Sequence, residues 1–282
     1  PMGFYAPSQL VQDARRHGVE ILPVDVLKSA QECSLERSLE GARDVPCQPP
    51  VRLGLCMVKG LAEDAARRIV AARAALVFTT VAELAQYAEL DRRALGVLAR
   101  AGALANLSGH RHRANWAAFG LDPPTPLLPQ LDVKEGIPLL RKPTEGADIV
   151  ADYASLGLTL QRHPLALLRP TLDQLQCATA FEIMQARHDL PVRVAGLVIT
   201  RQRPGTATGV VFVTLEDETG VINVIVWSSL VARQRRELLG ARLMGVAGKV
   251  QREGLVVHVI AEHLFDHSRL LGRLSVESRD FH

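Results

Sequence analysis

The chain has 282 residues, 48% hydrophobic and 4% aromatic, a length that suits two or three modules. Its net charge of +3 excludes capture of a polyanion by the bulk field, so any nucleic-acid binding must come from local basic patches. Four cysteines without a CxxC pair argue against a zinc site and a disulfide framework and fit a reducing compartment. The sequence shows no signal peptide or spanning apolar run, so a cytoplasmic protein without membrane contact is expected.

Residues 1–50 read as mainly helical. Ser8 is placed to cap a helix that Gly18 ends, residues 19–24 are extended, and residues 29–39 are expected to form a second short helix. The opening Pro1-Met2-Gly3-Phe4-Tyr5 is not a sensible start and suggests a piece of a larger chain.

Residues 51–121 hold an apolar-Lys-Gly-apolar turn, Val58-Lys59-Gly60-Leu61, just before a helix expected over 62–75. This is the hairpin pattern of a helix-hairpin-helix element. Gly60 permits the tight turn, and the amides of Gly60, Leu61 and Ala62 at a helix N-terminus attract a phosphate oxygen. Lys59 adds charge, and Arg67 or Arg68 is placed to reach the same backbone. Such a grip holds any duplex through its phosphates and reads no base. The plain alternative is an ordinary glycine turn between helices. A second helix pair follows: one helix from Thr80 or Val81 to about Glu89, and one over 92–101 that Asp91 caps and Gly102 ends. Ser108 is expected to cap another helix carrying Arg111 and Arg113, both suited to phosphate contact. His110 and His112 are two apart and share no helical face, which argues against a metal site.

Residues 122–187 read as a proline-rich linker with helices, including one over 149–160. Residues 188–268 read as five strands (192–203, 210–217, 221–227, 242–252 and 255–264) with a helical segment at 229–240. Three strands, a helix and two more strands is the order of an OB-fold barrel, which offers single-stranded nucleic acid the face of its second and third strands. Alternation aims Val211, Val213, Leu215, Ile222, Val224 and Val226 inward. It leaves Phe212, Thr214, Asn223 and Trp227 outward, two aromatics to stack bases and an amide and a hydroxyl to read edges. Arg201 and Arg203 are expected on one face beside a Gly- and Thr-rich loop, as the electrostatic half of that site. Residues 269–282 are a C-terminal tail, polar from Ser275 onward. The fold class expected is α+β: a helical region with tandem helix-hairpin-helix, then a five-stranded OB-fold barrel.

These motifs, in this order, resemble the C-family (DnaE-type) bacterial DNA polymerases. The resemblance rests on Pro1-Met2-Gly3-Phe4-Tyr5, Val58-Lys59-Gly60-Leu61, Ala101-Gly102-Ala103 and the run from Phe212 to Gly220. The run from Arg201 to Ala207 and the ending Ser278-Arg279-Asp280-Phe281-His282 resemble the error-prone, ImuC-type branch. The resemblance implies that residues 1–50 are the end of the fingers, 51–121 the duplex-gripping region and 188–268 the barrel near single-stranded template. It also implies template-directed nucleotide addition with Mg²⁺ held by palm aspartates, in damage-induced mutagenesis with an ImuB-type partner and an ImuA-type accessory protein. The sequence offers no Asp-x-Asp pair, so this fragment is expected to need no cofactor of its own and to be unable to extend a primer. Replicative relatives carry a sliding-clamp motif ending in an aromatic; here Gln130-Leu131-Asp132-Val133-Lys134 ends in lysine, so direct clamp binding is expected to be weak or absent. Two other readings stay open: a module docking the mutagenesis partners through the barrel and tail, and an anticodon-type OB domain.

Overall fold

The computed structural model describes residues 7–36, 48–120, 139–204, 209–254, 256–272 and 279–280. The clamp-like pentapeptide 130–134, the loop tip 205–208 and the opening and closing family motifs lie wholly or largely outside the described residues. The chain divides into two compact units, Pro1–Gln161 and Arg162–His282. The division falls inside the region read as a linker.

The first unit is helical. Helix α1 (Pro7–Arg16) is followed by a small sheet in which β1 (Ile21–Leu22) and β2 (Ser34–Leu35) flank β3 (Val51–Arg52). Over residues 29–36, the described part of the helix expected over 29–39, the chain instead makes a bend and β2. The Ser29 hydroxyl accepts from the Asp25 amide at 2.9 Å and donates to the Leu53 carbonyl at 2.7 Å, so it closes a turn and ties it to a distant segment. A 3₁₀ turn, Leu55–Met57, leads to α2 (Glu63–Ala75), α3 (Val81–Tyr87), α4 (Arg92–Arg100), α5 (Ala105–Ser108), α6 (Arg111–Phe119) and α7 (Glu145–Leu156). Thr80 and Glu83 form a reciprocal capping box on α3, and Asp91 caps α4 through the Ala94 amide at 2.7 Å. Ser108 does not start α6. Its hydroxyl donates back to the Leu104 carbonyl, Gly109 breaks the chain at φ +87°, and His110 takes the cap position. Leu55, Ile69, Leu84, Leu95, Leu98 and Leu104 are fully buried in one core that these helices share.

The second unit begins with α8 (Pro164–Gln174) and α9 (Ala180–Gln185), then the barrel: β4 (Pro191–Gln202), β5 (Val211–Glu216), β6 (Val221–Val226), α10 (Ser228–Arg233), α11 (Arg235–Gly240), β7 (Leu243–Glu253) and β8 (Val256–Asp266). The strand order β5-β6-β8-β7-β4, with β4 pairing back onto β5, closes a five-stranded barrel of the OB type. All pairs are antiparallel except β6–β8. The alternation read from sequence holds residue by residue: β5 and β6 bury every second side chain, and those six meet in the barrel core. A separate layer, Leu165 and Leu172 of α8 with Ala195, Leu197, Leu243 and Leu271, packs on the outside of β4 and β7.

Candidate nucleic-acid interface

The outer face of the barrel is built by cross-strand register. Phe212 lies opposite Ile225, and Thr214 opposite Asn223, whose carbonyl oxygen accepts from the Thr214 hydroxyl at 3.4 Å. Phe212 is 37% exposed and Trp227, which immediately follows β6, is 51% exposed. The sequence places the aromatic and polar contacts on these two strands, but the sheet continues the rows. Parallel pairing sets Asn223 beside His258 and Ile225 beside Ile260, and β7 then adds Gln251 and Lys249. Across the other edge, Gln202 lies opposite Phe212 and Thr200 opposite Thr214. One row is therefore Thr200-Thr214-Asn223-His258-Gln251, all polar side chains, and the next is Gln202-Phe212-Ile225-Ile260-Lys249, with an apolar centre. No local pattern reveals a parallel register between distant strands, which is why the sequence does not place His258 and Gln251 beside Asn223.

Arg201 corrects the expectation of a basic pair. It is 8% exposed, and its guanidinium donates to the carbonyls of Leu238 at 2.6 Å and of Ala241, the residues that end α11. A bulge in the β4–β5 pairing between Val198 and Thr200 changes the local register, and Arg201, opposite buried Val213, points inward. Arg203 lies past the strand end and is exposed, so the two arginines do not share a face.

The turn that presents the face is locked from below. The Asp217 carboxylate, fully buried, accepts from the amides of Thr219 (2.7 Å), Gly220 (2.9 Å) and Ala180 (2.7 Å). Arg169 of α8 forms a two-pronged pair with Glu218, one arm at 3.0 Å. The acidic run at this hairpin is thus turn chemistry and helix docking. His163 sits beneath it, its Nε2 3.7 Å from Glu216 and its Nδ1 accepting from the Leu165 amide. Burial pushes the His163 pKa down to about 4, against the pull of Glu218 and Asp217.

In the helical unit the hairpin has the expected backbone: Gly60 sits at φ +82° and Ala62 is the N-cap of α2 without a side-chain cap. A Cβ at Gly60 would meet only Val97 at 3.6 Å, so the dihedral angle, not crowding, calls for glycine. The Leu61 amide donates to the Val58 carbonyl at 3.2 Å and so is already engaged. The side chains named around this turn fare differently. Lys59 is exposed, but its ammonium donates to the Tyr153 carbonyl at 3.2 Å near the end of α7. Arg67 is exposed and pairs with Glu63 one turn back. Arg68 does not reach the hairpin: it donates to the carbonyls of Ala88 (2.9 Å) and Glu89 (3.2 Å) after α3, and pairs with Asp64.

Arg111 is the largest departure from expectation. It is nearly buried, and it joins three helices by donating to the Arg100 carbonyl at 2.8 Å, to Asp148 at 2.5 Å and to Asp152. Its guanidinium lies 3.1 Å from where a Cβ on Gly102 would stand, so that glycine, at φ +74°, also makes room for it. Burial pushes the Asp152 carboxyl up even with Arg111 beside it. Arg113, partly exposed and with no ion pair among the described residues, remains the basic side chain of α6 best placed for a phosphate.

Among the described residues no three His, Cys, Asp or Glu side chains gather as a metal site, and no helix is long and apolar enough to cross a membrane. A helix-hairpin-helix motif family matches residues 18–114, and an OB-fold nucleic acid binding domain family matches residues 192–266. A structure of asparaginyl-tRNA synthetase from Pyrococcus horikoshii is similar over 32% of this chain and 22% of its own, at 24% identity and a TM-score of 0.28, too low to carry an argument. Over all of its length the chain is 52% identical to an error-prone DNA polymerase of Alkalilimnicola ehrlichii and 53% identical to one of Aromatoleum aromaticum, covering 27% and 26% of those proteins. By sequence, then, the chain is similar along its whole length to a part of error-prone DNA polymerases, and it spans about a quarter of the length of the relatives it matches.

Proposed function

We propose that this chain is the DNA-gripping part of an error-prone, template-directed DNA polymerase. In this reading the barrel takes single-stranded template on β5 and β6, and the helical unit holds duplex through phosphates at the Gly60 turn. The observation that carries it is the pair of exposed aromatics, Phe212 and Trp227, on the outside of strands whose inner side is sealed core. Each stacked base is worth about 1–3 kcal/mol on such a platform. Thr214 and Asn223, adjacent in the next row, supply donors and acceptors for a base edge. The duplex contact is supported by the Gly60 dihedral, the uncapped start of α2 and the charges of Lys59, Arg67 and Arg113. Nucleotide addition, with its Mg²⁺, is assigned to residues outside this chain. The whole polymerase would act in damage-induced translesion synthesis beside an ImuB-type partner, which would bring the sliding clamp.

Titration of labelled oligonucleotides by fluorescence anisotropy tests the reading. F212A/W227A should lower affinity for a single strand at least tenfold and spare a blunt duplex. R113E should weaken the duplex and leave the single strand unchanged, and both affinities should fall with added salt. A double variant that binds single strand as tightly as the parent defeats the proposal. A second reading, docking of a mutagenesis partner on the barrel, is favoured by exposed Phe181 and Met184 on α9. It predicts binding to that partner that salt barely affects.

A further inference from the structure

Two exposed thiols meet at the base of the hairpin that leads to Gly60. Residues 30–33 run directly against 54–56. The Leu55 amide donates to the Ala30 carbonyl at 3.0 Å and the Cys56 amide to the Gln31 carbonyl at 2.9 Å. The Gly54 amide donates to the Cys33 sulfur at 3.3 Å. The approach is so close that a Cβ on Gly54 would lie 2.3 Å from the carbonyl carbon of Glu32 and 2.6 Å from the Cys33 nitrogen. With backbone on backbone, Cys33 and Cys56 lie side by side on the two adjoining segments, both exposed.

We infer that Cys33 and Cys56 form a reactive dithiol that closes to a disulfide by exchange with a small disulfide, tying the β2 segment to the 3₁₀ turn one residue before Val58. The environment sets the order of attack. Burial and the neighbouring Cys33 push the Cys56 thiol up, which disfavours Cys56 as the first nucleophile. The Cys33 thiolate displaces one small thiolate and forms a mixed disulfide. Cys56 then loses its proton and attacks the Cys33 sulfur, and the second small thiolate leaves. Two protein thiols are oxidised and one small disulfide is reduced to two thiols, so the exchange balances. Cys177, in the other unit, is buried and its thiol is likewise pushed up by burial, which makes it a poor competitor.

Incubation of the chain with oxidised glutathione, followed by acid quench and peptide mass mapping, tests this. The native chain should lose the mass of two hydrogens, with Cys33 and Cys56 joined, and a C47S/C177S variant should do the same. C56S should instead hold one glutathione on Cys33. In urea the bridge should form at least about tenfold more slowly, because the fold supplies the effective concentration. A bridge through Cys47 or Cys177, glutathione retained on both thiols of the native chain, or equal rates in urea would overturn the inference.

Discussion

The helical hairpin region and the barrel face were both read as DNA-binding surfaces, and the structure treats their side chains in opposite ways. On the barrel, Phe212, Thr214, Asn223 and Trp227 stand outside the core as the strand alternation requires. Around the hairpins, Arg111 and Arg68 turn inward to carbonyls and carboxylates, as does Arg201 in the barrel. The lesson is about reach. A strand side chain has one of two directions, fixed by its neighbours. An arginine has a long stem and five donors, and helix ends are rich in carbonyls that lack partners. A basic residue near a helix end is therefore as apt to close the protein's own backbone as to await a phosphate.

The sharpest way to break this comparison is to remove Arg111. If it is a clamp, R111A leaves nearly buried Asp152 uncompensated and should destabilise the helical unit by about 3–5 kcal/mol in denaturant unfolding, with DNA affinity of the folded fraction unchanged. Loss of duplex affinity at parental stability would restore it to the interface. Next in size is the effect of acid on the hairpin support. The folded pKa of His163, about 4, lies below its ordinary 6.5, so the unfolded chain binds the proton more readily. Its contribution is fully present above pH 6.5 and is lost as pH falls toward 4, amounting to about 3 kcal/mol. H163Q should flatten that part of the pH–stability curve relative to the parent; an unchanged slope would remove His163 from the account.

Arg201 gives a smaller effect of the same kind. R201A strands the carbonyls of Leu238 and Ala241 and should lower barrel stability by about 2–3 kcal/mol, read by thermal unfolding, while single-strand affinity stays as it was. On the opposite side of the comparison, F212A should cost single-strand affinity about 1–2 kcal/mol and leave the melting temperature nearly unchanged, since the ring is already partly in water. The smallest expected change is H258A. If the polar row reaches β8, this substitution should weaken single-strand binding by about 0.5–1 kcal/mol, and no change would confine the face to β5 and β6.

Periodicity and local chemistry decided a great deal of this protein without help. The two-residue alternation of 211–226 set the inner and outer faces of the barrel, and the Gly60 turn, the Asp91 cap and the helix start at Thr80 or Val81 marked helix ends, because each depends on residues within one turn or one hairpin. Those cues fail where the partner is distant in the chain. Arg111 finds Asp152, Arg169 finds Glu218, Arg201 finds α11, Cys33 meets Cys56 and Asn223 lines up with His258 only after the chain has folded. A hydrogen-bond donor on a flexible stem, or a parallel register between separated strands, is settled by which groups packing brings within about 3 Å, and that is a property of the tertiary structure.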